Sequence, residues 1–267
     1  IDHVIHSAGV IFARTKKEYF EVNVDGTVNL FRDVPSPGKA VIISSLSAGG
    51  PSLKGVARVE EDPDRPVTWY GESKLEMEKR LERQFPNLNY LMLRPPMIFG
   101  PRDHMTLPLF KMAKKPLQFK AGLKLKHYSY IAVNDLVSAI FKVLAYETYW
   151  TARKQRCFYV GSQVTITDRE LIRVAANAIN RKSRIVPVPE ILLRGIAKII
   201  DTIPTWRATI PSLSIDRAKE IWPDRWVISS KAFQETFDWE AKSSFEKTLQ
   251  ETAAWYVKTG KLFLRGH

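Results

Sequence analysis

The apolar positions fall into two patterns. Short continuous runs, without alternation, occur at Val4-Ile5, Ala40-Val41-Ile42-Ile43 and Tyr90-Leu91-Met92-Leu93. A run of that kind suits a strand covered on both faces. Between the runs lie polar, helix-compatible stretches, from about Lys16 to Val34 and from Trp69 to Gln84, closed by Pro35-Ser36-Pro37-Gly38 and by Pro86. Strand, helix, strand, helix, strand with short connections predicts right-handed βαβ units and a parallel sheet. Ligands of such sheets bind beyond the carboxyl ends of the strands. That places His6-Ser7-Ala8-Gly9, Ser44 to Gly50 and Arg94 to Gly100 around one site.

Beyond Pro101 the pattern changes. Asn134-Asp135 precede Leu136, Val137, Ile140, Phe141 and Leu144, which predicts an N-capped helix. Thr167-Asp168 introduce another, with Leu171, Ile172, Ala175 and Ile179 on one face. Ser243-Ser244-Phe245-Glu246 offers a capping box for a helix with Phe245, Leu249, Ala253 and Tyr256 at core spacing and Gly260 as its stop. Ile191 to Ile203 is strongly apolar, with Trp206 and Arg207 just beyond. A helix packed over the site is the preferred reading, and one lying on a membrane surface is the alternative. The expected architecture is α/β: a doubly wound parallel sheet from residues 1–101 and 131–162, and a smaller, mostly helical substrate-binding cap from 102–130 and 163–267.

Composition adds bounds. A chain of 267 residues, 45% hydrophobic, can bury a sizeable core. No apolar run reaches the roughly 18 residues of a membrane span, and Ile1-Asp2-His3-Val4-Ile5-His6 lacks the pattern of a secretory signal. A cytoplasmic protein is expected. The one cysteine, Cys157, lies in the strand-like Arg156-Cys157-Phe158-Tyr159-Val160 and reads as a small core residue. No His/Asp/Glu grouping has ligand spacing, so no metal site is expected. His104 and His127 read as incidental. The net charge of +13 attracts anions. Its nearest cluster is Lys111, Lys114, Lys115, Lys120, Lys124 and Lys126, read first as a solvated surface and second as an anionic-ligand groove. Nucleic-acid binding is not expected.

The chemistry centres on Tyr70-Gly71-Glu72-Ser73-Lys74. Residues four apart on a helix share a face, so the Lys74 ammonium can sit near the Tyr70 phenol. A cation about 4 Å away at an effective dielectric near 20 is worth roughly 4 kcal/mol, or about three pKa units. That is enough to bring the phenol towards neutrality and make it a proton exchanger for a carbinol or carbonyl oxygen. A hydroxyl at the end of the preceding strand, in Ser44-Ser45, can bind the same oxygen.

With these residues in place the chain resembles an extended short-chain dehydrogenase/reductase, of the NAD-dependent epimerase/dehydratase and 3β-hydroxysteroid dehydrogenase/dihydroflavonol reductase-like group. His3-Val4-Ile5-His6-Ser7-Ala8-Gly9 resembles the fourth strand and its cofactor-facing turn. Asn23-Val24-Asp25-Gly26-Thr27-Val28-Asn29 resembles the Asn-Val-x-Gly-Thr helix, and Ile43-Ser44-Ser45-Leu46-Ser47 the serine strand. Leu93-Arg94-Pro95-Pro96-Met97-Ile98-Phe99-Gly100-Pro101 resembles the loop under the nicotinamide. Tyr130-Ile131-Ala132-Val133-Asn134-Asp135 resembles a later helix start. The resemblance implies an incomplete Rossmann-like domain and NAD or NADP as cofactor. It implies Ser45, 25 positions before Tyr70, as the catalytic serine, with Ser47 as competitor, alongside Tyr70 and Lys74. Ala8, Gly9, Asn23, Ser44, Tyr70, Lys74, Pro95 and Met97 are implied at the cofactor. Ser47, Met97, Arg102 and Tyr128 are implied at the substrate. A homodimer is also implied.

The sequence departs from the family in lacking the glycine-rich phosphate loop and the first three strands. About 60 further residues, two βα units, are therefore expected in a longer parent. Met97, and Gly49 where a tyrosine is common, lean away from nucleotide-sugars and towards a less polar substrate. Three functions stay open. The first is alcohol/ketone oxidoreduction with NAD(P). The second is nucleotide-sugar epimerisation or dehydration, and the third a degenerate regulatory or scaffold role.

Overall fold

The computed structural model describes residues 2–34, 37–152, 155–202 and 215–263. Pro35-Ser36, Ile203, Trp206 and Arg207 lie outside them. The strands are β1 (His3–His6), β2 (Lys39–Ile43), β3 (Tyr90–Arg94), β4 (Met97–Phe99), β5 (Leu117–Ala121), β6 (His127–Ala132), β7 (Cys157–Tyr159), β8 (Thr165–Thr167), β9 (Arg184–Val188) and β10 (Arg225–Trp226). The fold is an α/β, Rossmann-like parallel-sheet structure.

The runs at 40–43 and 90–93 form the central strands β2 and β3, flanked by β1 and β7 in the parallel order β1-β2-β3-β7. Both faces of β2 and β3 are covered, which explains their lack of alternation, whereas Ile5 of β1 is 46% exposed, against the covering expected of the Val4-Ile5 run. On one face the Val133–Ala145 helix packs Leu136, Ala139, Ile140 and Val143 against Val41, Leu91, Leu93 and Phe158. On the other, Val24 and Phe31 join Met77 and Leu81 of the Trp69–Gln84 helix over Ala40, Ile42, Tyr90 and Met92. Cys157 packs at the edge of this second cluster, and burial pushes its thiol pKa up.

The second layer is mostly helical, as expected, and its helices surround short strands. β10, β6 and β4 are parallel neighbours, β8 pairs antiparallel with β6, and β5 with β9 forms a separate parallel ribbon. β4 lies within 1–101 but belongs to this layer, so the chain changes sheet at Pro95-Pro96, earlier than the boundary expected at 101. The Asp168–Asn177 helix carries the capping box of Thr167 with Glu170, and Ser244 caps the Phe245–Lys258 helix. Phe245, Leu249, Ala253 and Tyr256 pack with Phe99, Phe110 and Tyr130 in its core.

One expected cap is different. Asp135 lies inside the first turn of its helix, and its carboxylate accepts from the backbone N–H groups of Lys242 and Ser243 at 3.2 and 3.1 Å. It ties the first layer to the segment leading into the last helix. Asp135→Ala removes this charged acceptor and is expected to cost about 1.5–3 kcal/mol, measured by denaturant unfolding.

Candidate active site

β2 runs into Ser44-Ser45, and Ser45 caps the short Leu46–Gly49 helix by accepting from the Ser47 N–H at 3.1 Å. Tyr70 is the second residue of the Trp69–Gln84 helix, whose N-cap is Thr68. The phenol lies beside the Ser45 hydroxyl, which acts to lower its pKa. Gly71 allows this approach, since a Cβ there would collide with the Ser47 carbonyl. Ser47 therefore contributes backbone to the contact between turn and helix. Ser45 is the serine that meets the phenol.

Lys74, one turn further on, is buried, and its ammonium donates to the Ile43 carbonyl at 2.7 Å. The Ser44 N–H points to β3, so by strand alternation the Ile43 carbonyl points to the β1 side. β1 ends at His6, opposite Ile42, and Lys74 takes the carbonyl left beyond the ladder. Burial draws the Lys74 pKa down to about 8, opposed by the Glu78 carboxylate. Tyr70 departs from the sequence-based expectation. Its pKa is raised, first by burial. The Ser45 hydroxyl opposes this, Glu220 adds to it, and the Arg217 guanidinium opposes it. The Coulomb argument left out desolvation of the phenol and the engagement of Lys74 at Ile43. At neutral pH this phenol is a proton donor.

Asn23 lies in a π-helical turn, Glu21–Asp25, inside the expected Lys16–Val34 helix. Its side chain accepts from the Val10 N–H at 2.8 Å, and donates to the Val10 carbonyl at 3.0 Å and to Ser73 Oγ at 2.9 Å. It thus clips the turn after β1 to the tyrosine helix. Thr27 donates its only hydroxyl proton to the Asn23 carbonyl, so His6 Nε2 donates to Thr27. Burial, then Lys74, lowers the His6 pKa. Ala8 and Gly9 are exposed at the end of β1, and a Cβ on Gly9 would come within 2.9 Å of Asn23 Oδ1 and 3.9 Å of Lys74 Nζ.

Ser44, expected at the cofactor, turns its side chain the other way. Its hydroxyl is bound to Glu78, within a buried charge cluster that uses up its side chain. Arg94 contacts Glu78 and, at 2.7 and 2.9 Å, both oxygens of Asp64. Burial works against the Arg94 charge and the two carboxylates more than offset it, so its pKa is raised. Tyr159 Oη accepts from Arg94 at 3.1 Å and from Arg58 at 2.8 Å. Gly49 is part of this cluster too: a Cβ there would collide with Tyr159 Oη and come within 2.5–3.2 Å of Arg58 Nε and the Tyr159 ring. Its side chain is absent for packing reasons, and so Gly49 says nothing about the polarity of the substrate.

Residues 1–152 match the model of the NAD dependent epimerase/dehydratase family. The chain belongs to that family. It is 26% identical over 259 residues to the ceramide reductase of Caulobacter vibrioides, covering 97% of this chain and 75% of that protein. It is 31% identical over 137 residues to the decarboxylating sterol-4-alpha-carboxylate 3-dehydrogenase erg26 of Schizosaccharomyces pombe, covering 48% of this chain and 40% of that one. The solved UDP-glucose 4-epimerase of Thermus thermophilus, complexed with NAD, superposes with a TM-score of 0.71 at 20% identity, over 96% of this chain and 78% of that one.

This epimerase/dehydratase-family chain gathers most, but not all, of its expected site residues. The Pro95 carbonyl accepts from the Leu46 N–H at 2.9 Å, which joins that loop to the serine turn. Met97 is half-buried in β4, opposite Tyr130. Tyr128 packs in the cluster of Leu46, Val67, Trp226 and Ile228, directly behind the serine turn. Arg102 is exposed on the loop after β4 with φ +72°, and His104 meets Lys261 at 3.1 Å. Sequence reasoning missed the segment that grips the tyrosine helix. Asp216 accepts from the Trp69 N–H at 3.1 and 3.3 Å, and Glu220 from Thr68 Oγ1 at 3.0 Å. Arg217 lies over the Tyr70 ring at 5.6 Å and the Phe12 ring at 5.0 Å. The separation from Thr68 is about 150 residues, and no local pattern marks it.

Two outcomes follow from this geometry. Lys74 has a folded pKa near 8 against an ordinary 10.5, so the folded state binds fewer protons between those values. Its burial penalty is present below pH 8 and is relieved as pH rises. Wild type should gain on the order of 3 kcal/mol relative to Lys74→Met between about pH 8 and 10.5, read from melting curves in a pH series. Gly49→Ala overpacks the Arg58–Tyr159 contact and should destabilise by about 1–3 kcal/mol in equilibrium unfolding.

Proposed function

We propose that this chain is the catalytic and substrate-binding part of an NAD(P)-dependent oxidoreductase that reduces a ketone, or oxidises the matching alcohol, on a rather apolar substrate. The observation that carries the reading is the close packing of the tyrosine helix on the serine turn, with Gly71 against the Ser47 carbonyl, which sets the Tyr70 phenol beside the Ser45 hydroxyl at the end of β2. Two hydroxyls that meet in this way can share one substrate oxygen. Tyr70, kept protonated by burial, gives its proton to that oxygen as negative charge develops on it, while Ser45 holds the oxygen in place. In the oxidative direction the phenol system takes the proton back.

The residues present fit the nicotinamide end of the cofactor. The exposed Ala8-Gly9 backbone makes a cradle that a Cβ would fill, and the Lys74 ammonium lies at its side. Lys74 and Tyr70 would hold the ribose hydroxyls, and Pro95 and Met97 would line the ring. The bound dinucleotide supplies or accepts the hydride. Lys74, drawn down to about 8, can also return a proton to the phenol near neutral pH.

An apolar substrate is supported by the Leu46, Val67, Tyr128 and Trp226 cluster that backs the serine, and by Met97. The names of the ceramide and sterol-4-carboxylate relatives point the same way. The test is reductase turnover of the full-length protein with a long-chain keto lipid and with a UDP-sugar, each with NADH or NADPH. Tyr70→Phe is expected to lower kcat by roughly 10²–10⁴-fold with an unchanged melting temperature. Activity retained in that variant would overturn the reading, and turnover of the UDP-sugar alone would replace it with epimerisation.

A further inference from the structure

The β5–β9 ribbon is inverted in polarity. Gln118 and Lys120 are 0% and 3% exposed, whereas their neighbours Leu117 and Phe119 are 48% and 56% exposed. Strand residues alternate between faces, and a face turned to water is ordinarily the polar one. The inversion is anchored. Lys120 Nζ is held inside by the carbonyls of Gly122 and Lys124, at 2.9 and 2.8 Å, and by Asp168 at 2.7 Å. Lys126 is buried as well, on the carbonyls of Ile221 and Trp222. With these lysines turned inward, the outward side of the turn is Leu123, Lys124 and Leu125, with both leucines exposed.

The apolar surface extends beyond the turn. Val186 is the register partner of Phe119 and is exposed. The Gly122 N–H donates to the Val188 carbonyl at 2.8 Å, which brings the leucine turn to the start of the Glu190–Thr202 helix. There Ile191 is 77% exposed, so the start of this helix is not packed over the site as its pattern suggested. The charge around this surface is predominantly positive, with Asp224 paired to Lys124 at 3.4 Å. Residues 107–127 and 178–200 contain eleven Lys and Arg and a single acid, Glu190. Two of the eleven are the buried Lys120 and Lys126, which leaves nine towards the surface.

We propose that this face seats the protein peripherally on a bilayer containing anionic phospholipid. The Leu123/Leu125 turn and Phe119 enter the acyl boundary, and Lys124, Lys114, Lys115 and Arg184 lie at the phosphates. A second copy of the same face would oppose like charges, which disfavours self-association there. Seating needs no membrane-crossing segment, and none of the described helices is long and apolar enough to be one. The inference stands on the ribbon alone and holds whatever the substrate.

The test is co-sedimentation of the full-length protein with vesicles of phosphatidylcholine alone and of phosphatidylcholine mixed with phosphatidylglycerol. Binding is expected only to the anionic vesicles, weakened by salt. The double variant Leu123→Glu/Leu125→Glu should bind at least about tenfold more weakly with an unchanged melting temperature. Lys142→Glu, on the helix covering the first sheet, should bind as wild type does. Three results would overturn the proposal. One is no binding at low ionic strength. Another is equal loss in the Lys142 variant, the mark of diffuse net charge. The third is a dimer, present without lipid, that the double leucine variant breaks.

Discussion

The close approach of the tyrosine helix to the serine turn governs the rest of the structure. Gly71 rests against the Ser47 carbonyl, and only a residue without Cβ fits there. From that contact follows the placement of the Tyr70 phenol beside the Ser45 hydroxyl, and from the helix pitch follows Lys74 at the end of β2. A shift of about one ångström between helix and turn would separate the two hydroxyls. The surrounding network is built against such a shift. Asn23 pins the helix to the turn after β1, and the Glu78–Arg94–Asp64 cluster pins it to β3 two turns beyond the tyrosine.

That cluster also shows how the molecule handles buried charge. Arg94 and Glu78 are both nearly inaccessible and paired with each other; Glu78 also accepts from Ser44, and Arg94 also donates to Tyr159 and Asp64. Removing one member would leave an uncompensated charge, the condition under which a buried ion pair becomes costly. The same packing explains Gly49, whose missing side chain makes room for the Arg58–Tyr159 contact.

Much of this was legible in the chain. The Trp69–Gln84 helix, the central strands and the core face of the last helix follow from apolar runs, proline stops and caps, all of them local signals. The pairing of Tyr70 with a serine at the strand end follows from topology. What was not legible is non-local. The grip of Asp216 on the Trp69 N–H, the use of Asp135 as a tether, and the burial of Ser44 beside Glu78 join segments far apart in sequence. The pKa of Tyr70 failed for a related reason: a Coulomb term can be read from helix spacing, whereas desolvation depends on everything packed around the group. Lys120 and Lys126 were read with their neighbours as a solvated surface, and their inward turn depends on partners at Asp168, Ile221 and Trp222 that lie far along the chain.

The grip on the tyrosine helix has a mechanical consequence. A carboxylate from the upper layer, Asp216, sits on the first exposed amide of that helix, where the helix dipole is positive, and the neighbouring Arg217 lies over the reacting ring. The two layers are therefore joined beside Tyr70 as well as at the Asp135 tether. Any swing of the upper layer that admits a bulky molecule must either carry the Asp216 segment along with the lower layer or unhook it, baring the helix end and loosening the tyrosine. On the proposed reading, admitting a substrate and steadying the phenol both act through this one contact.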